Sequence, residues 1–263
     1  MLLANEVGVY YKDLNDESMV SALALVHQRF STNTQPSWHL AQPFRYLAHN
    51  GEINTVSANR AWAKARRLDL LPVELQEKFI NVSSLVSEYG SDSFSLDNML
   101  EMLIMSGIDY KQALRTLIPP FSEDNNRLAS DVEKWYQTVG IGFEAWDGPA
   151  GIVMTNGTQV MCTLDRNGLR PLRYSITQDG TVIVASETGI IDYDNEEFIT
   201  KSRLAAGEML VIDTESKMVL FDKAVYRQFN LDLTKDNHYA TIKHDLNHTL
   251  SPLSENLDTY KKL

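Results

Sequence analysis

The pattern of apolar and polar stretches predicts strands early in the chain, helices in the middle and hairpins toward the end. The run SALALVHQRF, residues 21–30, is apolar enough for a buried strand. The run FRYLAHNGEI, residues 44–53, predicts a second short strand that ends in a turn at Asn50 and Gly51. We expect both strands to deliver polar residues to loop ends.

Helical periodicity begins after the second strand. Asn54 and Thr55 can cap the segment TVSANRAWAKARRL, in which Ala58, Trp62 and Ala65 recur at helical spacing opposite a basic face. This pattern predicts an amphipathic helix with those three residues on its apolar side.

A longer block, SLDNMLEMLIMSGIDYKQALRTLI, is also helical in character. It is interrupted near Gly107 and stopped by Pro119 and Pro120, so it predicts a helical hairpin. Methionines on an apolar helix usually fill the core. We expect that role for the methionines of this block, Met99, Met102 and Met105.

Asn-Gly and Asp-Gly pairs mark two hairpins in the last part of the chain. AGIVMTNGTQVMCTL turns at Asn156-Gly157, and RPLRYSITQDGTVIVASETGII turns at Asp179-Gly180. GEMLVID and KMVLFD add strand-like segments up to Asp222, which together predict an antiparallel sheet. Helices grouped between such strands predict an α+β fold with helices packed on antiparallel sheets.

The chain becomes polar after Phe229. We therefore predict one domain over residues 1–228 and a polar tail or linker over residues 229–263. His244 and His248 lie four residues apart in this tail, but no third ligand accompanies them, so no metal site is expected. Phosphate-binding and dinucleotide-binding glycine motifs are absent from the sequence, and no cofactor site is expected in this segment.

Charge and cysteine content narrow the class of partner. Thirty-five acidic and 24 basic residues give a net charge of −11, which disfavours nucleic acid and anionic membrane surfaces as partners. The sequence has no export signal and no apolar stretch of membrane-spanning length. Its single cysteine, Cys162, excludes an internal disulfide framework and fits a cytoplasmic location.

Three polar positions could together bind an α-amino acid. An arginine such as Arg29 can grip a carboxylate, an aspartate such as Asp92 can hold an ammonium group, and Asn50 beside Gly51 can stabilise an oxyanion. Each also has an ordinary explanation, as an ion-pair partner, a helix cap and a turn. Spacing alone does not show that the three positions meet.

Longer motifs carry a family resemblance. VHQRFSTNTQPSWHLAQPFRYLAHNGEIN closely resembles the glutaminase domain of glutamate synthase large subunits, which are class II glutamine amidotransferases of the N-terminal-nucleophile hydrolase fold. SEYGSDSFSLDNMLE, WDGPAGIVMTNG and TLDRNGLRPLRY resemble the same family, so the likeness covers about residues 1–222. The resemblance implies an αββα sandwich whose N-terminal part is missing from this chain.

The resemblance also assigns roles to the three positions. It implies that Arg29 binds the α-carboxylate of glutamine and Asp92 its α-ammonium group. The side chain of Asn50 and the N–H of Gly51 would form the oxyanion hole. Thr32, in the same loop as Arg29, would help to position the substrate.

The nucleophile of the family does not match any residue here. In the family it is a cysteine at the mature amino terminus, whereas this chain begins with methionine. Cys162 lies within the strand-like segment QVMCTL and is expected to be a core residue. The resemblance therefore implies a chain truncated before the nucleophile and inactive by itself.

The resemblance also implies a larger parent protein. Its synthase region, with FMN and an iron–sulfur cluster, would join the ammonia to 2-oxoglutarate and reduce the product to glutamate. Electrons would come from a small electron-donating subunit or ferredoxin, and the protein would be cytoplasmic, or plastid in a photosynthetic eukaryote.

Two other functions fit the same motifs. Another class II amidotransferase, such as an asparagine synthetase or a phosphoribosyl amidotransferase, would keep the glutamine site and show ATP-handling or phosphoribosyl-binding motifs downstream. A non-catalytic module could instead use the pocket to bind glutamine as a regulatory signal. WDGPA and TNTQPSW favour glutamate synthase.

Overall fold

The computed structural model describes residues 2–28, 33–69, 71, 73–121, 129–192, 197–229 and 231. The α-helices of these residues are α1 (Val7–Tyr10), α2 (Val56–Ala65), α3 (Val73–Phe79), α4 (Asp92–Met105), α5 (Tyr110–Leu117), α6 (Ser130–Gly142) and α7 (Asp222–Tyr226). The strands are β1 (Leu47–Gly51), β2 (Ala150–Thr155), β3 (Gln159–Leu164), β4 (Arg173–Thr177), β5 (Val182–Ala185), β6 (Phe198–Arg203), β7 (Met209–Asp213) and β8 (Met218–Phe221). Three 3₁₀ turns, Ala4–Glu6, Lys12–Asn15 and Trp38–Leu40, complete the set.

The strands form two antiparallel sheets. The larger sheet has the order β1-β2-β3-β7-β8, and the smaller one has the order β5-β4-β6. Both predicted hairpins are confirmed, because β2 pairs with β3 around Asn156-Gly157 and β4 pairs with β5 around Asp179-Gly180. Strands β7 and β8 correspond to the predicted segments GEMLVID and KMVLFD.

The layers follow from two hydrophobic clusters on opposite faces of the larger sheet. On one face, Leu100 of α4, Leu114 of α5 and Trp135 of α6 pack with Ile152 and other core residues of β2. On the other face, core residues of β3 and β7 pack toward the smaller sheet, including Tyr174 of β4 and Val184 of β5. The predicted α+β fold is confirmed, and the described residues supply three layers in the order helix, sheet, sheet.

The predicted strand over residues 21–30 is wrong for the part that the structure describes. Residues 21–28 are irregular, and Val26 is 81% exposed. This segment meets β1 through the ring of His27, whose Nε2 lies 3.0 Å from the carbonyl oxygen of His49, and not through a backbone ladder. Apolar composition without ladder hydrogen bonds does not make a strand.

The second predicted strand exists, but its end differs from the prediction. Asn50 and Gly51 are the last two residues of β1, and the turn follows at Asn54 and Thr55. The strand continues through Gly51 because its backbone adopts a φ of +145°, a value that L side chains rarely allow.

Helix α2 turns a different face inward from the one predicted. Asn59 and Ala63 are buried, whereas Trp62 is 47% exposed. Ala58 and Ala65 are also exposed. Polar bonds decide this orientation, because the amide Nδ2 of Asn59 donates to the carbonyl of Ala145 at 3.1 Å.

The helical hairpin α4–α5 is confirmed, and Met99 is buried in it. Met105 is 71% exposed, so the core prediction is wrong for this residue, which ends the helix on its solvent side. Helices α3 and α6 and strand β6 were not predicted. Phe229 and Leu231, at the start of the predicted tail, are described and pack with the core, where Phe229 is 7% exposed. The rest of the tail, including His244 and His248, lies outside the described residues.

Candidate functional site

The site is built around the end of β1, where two chain segments approach closely. A Cβ atom on Gly51 would lie 1.8 Å from the carbonyl oxygen of Pro149, so only glycine fits. The N–H of Glu52 donates to that same oxygen at 2.9 Å. Beyond it, the N–H of Asn54 donates to the carbonyl of Asp147 at 2.7 Å. These bonds fix the backbone on both sides of Gly51.

The hydrogen-bonding pattern of β1 shows where the Gly51 N–H points. In an antiparallel pair, alternate residues direct their backbone groups to the same neighbour. Even-numbered residues face β2, as two bonds on either side of β1 indicate: Thr155 N–H donates to the carbonyl of Tyr46, and Glu52 N–H donates to the carbonyl of Pro149. The odd residues face the outer edge, where His49 N–H donates to Gln42 Oε1 at 2.7 Å. The N–H of Gly51 is therefore directed to the outer edge of the sheet.

The side chain of Asn50 lies on the opposite face of β1 from that of His49, because successive side chains of a strand alternate. Its Oδ1 accepts a hydrogen bond from Nη2 of Arg170 at 2.5 Å. Asn50 pairs across the sheet with Gly151 of β2, so no cross-strand side chain crowds it. The Oδ1 atom of Asn50 is therefore hydrogen-bonded to Arg170, and its Nδ2 group points away from Arg170.

Asp92 is the first residue of α4 and contacts the same part of the chain. Its Oδ2 accepts from the N–H of Ile53 at 2.6 Å, and its Oδ1 accepts from the N–H of Ser93 at 2.8 Å. Because Ile53 lies two residues beyond Gly51, this bond brings the carboxylate beside the end of β1. The structure thus brings together two of the three predicted positions, Asp92 and the pair Asn50-Gly51.

His49 adds a buried imidazole to this region. It is 4% exposed, and its Nε2 has no hydrogen-bond partner among the described residues. Burial lowers the pKa of His49 to about 4, against an opposing effect from the negative charge of Asp92. The positive charges of His27 and Arg170 lower this pKa further. At neutral pH His49 is therefore uncharged.

The remaining predicted residues differ in what the structure shows. Arg29 and Thr32 lie outside the described residues. Cys162 is fully buried in β3, as expected of a core residue, and burial raises the pKa of its thiol to about 12. Such a thiol is not a nucleophile at neutral pH.

Two side chains of the site region were not singled out from the sequence. Asp97 is buried in α4 and accepts hydrogen bonds from the N–H groups of Arg45, Tyr46 and Leu47, so it ties the start of β1 to the helix. In the sequence, Asp97 could have been recognised as an acidic residue on the apolar side of a helix. Arg170 contacts Asn50, which lies 120 residues away in the sequence, and no local sequence pattern predicts that contact.

The sequence of the chain matches that of a known protein family. The model of the family described as "Glutamine amidotransferases class-II" matches residues 1–239. The chain belongs to this family. Within the class-II amidotransferases, curated relatives of about 40% identity are glutamate synthases.

Two such relatives illustrate the match. The chain is 41% identical over 228 residues to the "Glutamate synthase [NADPH] large chain" of Bacillus subtilis (strain 168), which covers 87% of this chain and 15% of the relative. It is 42% identical over 211 residues to "Glutamate synthase [NADH]" of Saccharomyces cerevisiae, which covers 80% of this chain and 10% of the relative. The chain thus spans a small part of these class-II proteins.

A solved structure of lower similarity is that of glutamine phosphoribosylpyrophosphate amidotransferase from B. subtilis complexed with ADP and GMP. The sequence identity is 20% and the TM-score 0.39, over 74% of this chain and 33% of that chain.

The described ranges contain neither a cluster of metal-ligating side chains nor a membrane-spanning helix. No three metal-ligating side chains come together there. None of the helices in this part of the chain is long and apolar enough to cross a membrane.

Proposed function

We propose that this class-II amidotransferase chain forms most of a glutaminase site, which releases ammonia from the side-chain amide of glutamine. The observation that carries the proposal is the end of β1. There Asn50 offers an amide, and the fixed backbone of Gly51 directs an N–H to the outer edge of the sheet. Two such donors suit the negative oxygen of a tetrahedral intermediate.

The chemistry assigns one role to each donor. A thiolate attacks the amide carbon of glutamine, and the carbonyl oxygen becomes an oxyanion that accepts hydrogen bonds from Asn50 Nδ2 and Gly51 N–H. The intermediate collapses, and the amide nitrogen takes up a proton and leaves as ammonia. Water then cleaves the resulting thioester and yields glutamate. Cys162 does not supply this thiolate, because it is fully buried and its thiol pKa is raised to about 12.

Substrate recognition rests on charge at the other end of glutamine. Asp92, beside Ile53, would bind the α-ammonium group, and Arg29 would bind the α-carboxylate through its fork of N–H donors. Thr32 would support Arg29 from the same loop. One negative and one positive side chain would together select an α-amino acid over a simple amide.

The fate of the ammonia is proposed from the relatives. Because they are glutamate synthases of much greater length, we infer that a synthase region elsewhere in the full-length protein adds the ammonia to 2-oxoglutarate and reduces the product to glutamate. That region would use FMN, an iron–sulfur cluster and an electron-donating subunit or ferredoxin. The residues described here do not fit a cluster, since the single cysteine is buried in a strand.

Substitution of Asn50 tests the proposal directly. In the full-length protein that carries this sequence, Asn50→Ala should lower kcat for glutamine hydrolysis by about 10²- to 10³-fold, which is typical of losing one oxyanion donor. The measurement is glutamate release from glutamine, and the control is Asn54→Ala, whose side chain is exposed. Unchanged hydrolysis in Asn50→Ala would show that this amide is not an oxyanion donor.

A further inference from the structure

The contact between Arg170 and Asn50 determines which way the Asn50 amide faces. An arginine guanidinium carries only hydrogen-bond donors, and an asparagine amide carries one acceptor, Oδ1, and one donor group, Nδ2. Since Arg170 Nη2 lies 2.5 Å from Oδ1, the oxygen must face Arg170. The Nδ2 group is then turned away from Arg170 and is available to a substrate.

The loop that carries Arg170 is tied to the strand beside Asn50. Asp165 is 3% exposed, and its carboxylate accepts from the N–H groups of Asn167 at 3.0 Å and Leu169 at 3.2 Å. The same carboxylate accepts from the N–H of Ala150 at 3.0 Å. Ala150 is the partner of Gly51 across the sheet. The carboxylate of Asp165 thus ties the loop to Ala150, the strand residue that pairs with Gly51.

The chain immediately after Arg170 passes close to the cross-strand partner of Asn50. A Cβ atom on Gly151 would lie 3.5 Å from the carbonyl oxygen of Pro171. Gly151 pairs directly with Asn50 in the sheet. The backbone that follows Arg170 therefore lies beside the strand position opposite Asn50.

The two arginines of this loop, Arg166 and Arg170, differ in their contacts. Its Nε–H is buried and has no acceptor among the described residues. By contrast, Arg166 in the same loop makes a two-pronged ion pair with Asp147. Within the described part of the chain, Arg66 and Arg115 also have a buried Nε–H without an acceptor, so Arg170 is distinguished by the donation of its guanidinium to the amide of Asn50.

We infer that Arg170 is a positioning residue that holds the amide of Asn50 with its Nδ2 directed at the oxyanion. This inference rests on the proposed function of Asn50. Without Arg170 the Asn50 side chain can rotate, because the hydrogen bond to Arg170 is what distinguishes its Oδ1 from its Nδ2. The loss would affect the transition state and leave the binding of glutamine unchanged.

The test compares Arg170→Met with Arg173→Met in the full-length protein. Met keeps the length of the side chain and removes its donors, and Arg173 is an exposed arginine three residues along the same segment. We expect Arg170→Met to lower kcat for glutamine hydrolysis by about 10- to 100-fold with KM within about twofold, somewhat less than the loss of the whole donor. Arg173→Met should retain wild-type kcat.

A double-mutant cycle shows whether Arg170 acts through Asn50. In the Asn50→Ala background, Arg170→Met should change kcat by less than about twofold, because the group that it positions is gone. A full additional loss there, or an Arg170→Met variant that raises KM at constant kcat, would overturn the inference. If Arg170→Met does not fold, the same cycle is run with Arg170→Lys, which keeps the charge and one donor centre.

The two proposals fail in different ways. Active Asn50→Ala would contradict the proposed function itself. Inactive Asn50→Ala together with fully active Arg170→Met would contradict only the role of Arg170.

Discussion

At the scale of the residue, Gly51 combines an unusual backbone with a proposed chemical role. Its φ is +145°, and a Cβ atom added to it would lie 1.8 Å from the carbonyl oxygen of Pro149, so there is no room for a side chain. This conformation is also what directs the following N–H of Glu52 back to Pro149 while the N–H of Gly51 faces outward. The same geometry that excludes a Cβ atom therefore presents the proposed oxyanion donor.

Gly51→Ala separates the effect of crowding from that of positive φ. We expect it to lower the free energy of unfolding by about 4 kcal/mol, at the upper end for single substitutions. Gly157→Ala is the matched control, because Gly157 also has a positive φ, +99°, but no atom within 4 Å of the added Cβ. Its cost should be about 1 to 3 kcal/mol. Urea unfolding followed by tryptophan fluorescence measures both, and equal losses would refute the clash at Pro149.

The residues that sequence reasoning found and missed differ in how far their partners lie along the chain. Asn50, Gly51 and Asp92 stand in compact motifs, so the resemblance was enough to propose a role for each of them. Arg170 belongs to an equally compact motif, TLDRNGLRPLRY, but its partner is 120 residues away. Only the pairing of β1 with β2 and the path of the loop after β3 reveal that contact.

At the scale of the element, the position of β1 depends on α4. Asp97 lies one and a half turns into α4 and is 1% exposed. It accepts three backbone N–H bonds of 3.0 to 3.2 Å from the chain entering β1. Asp92, at the beginning of the same helix, holds Ile53 after β1. Helix α4 therefore holds β1 by hydrogen bonds at both ends of the strand and fixes the position of Asn50 and Gly51 between those bonds.

The substitution Asp97→Asn tests whether these hydrogen bonds hold the start of β1. The amide offers one acceptor oxygen and places N–H donors against backbone N–H groups, so we expect the free energy of unfolding to fall by about 2 to 4 kcal/mol. Hydrogen exchange at Tyr46 and Leu47 should accelerate as well. Glu101→Gln, which removes the exposed ion pair with Arg45, is the control and should cost less than about 1 kcal/mol. Unchanged exchange at Tyr46 and Leu47 in Asp97→Asn would show that another contact holds the strand.

Elements were predictable where a local signal coincides with a hydrogen-bonded partner nearby. The hairpins at Asn156-Gly157 and Asp179-Gly180 contain both their turn and their pairing within one short segment. The run at residues 21–30 has the composition of a strand, but a strand also needs a ladder, and composition does not specify one. Helix α6 was missed because its glycines, Gly140 and Gly142, obscure an otherwise helical pattern.

At the scale of the whole molecule, the layers place the proposed site at an edge of the larger sheet. Strand β1 is the first strand of that sheet, with helices packed on one face and the smaller sheet on the other. Asn50 faces the side of the smaller sheet, and Asp92 comes from the helical side. The site therefore draws its groups from both sides of a single strand. Sequence patterns gave the fold class, but this convergence depends on the packing of distant segments.

The central claim is that glutamine binds at the end of β1, and a structure of the full-length protein with bound L-glutamate tests it most directly. We predict the α-ammonium group against Asp92, the α-carboxylate against Arg29, and the side-chain carboxylate within hydrogen-bonding distance of Asn50 Nδ2 and Gly51 N–H. Glutamate bound elsewhere in a protein that hydrolyses glutamine would contradict the claim.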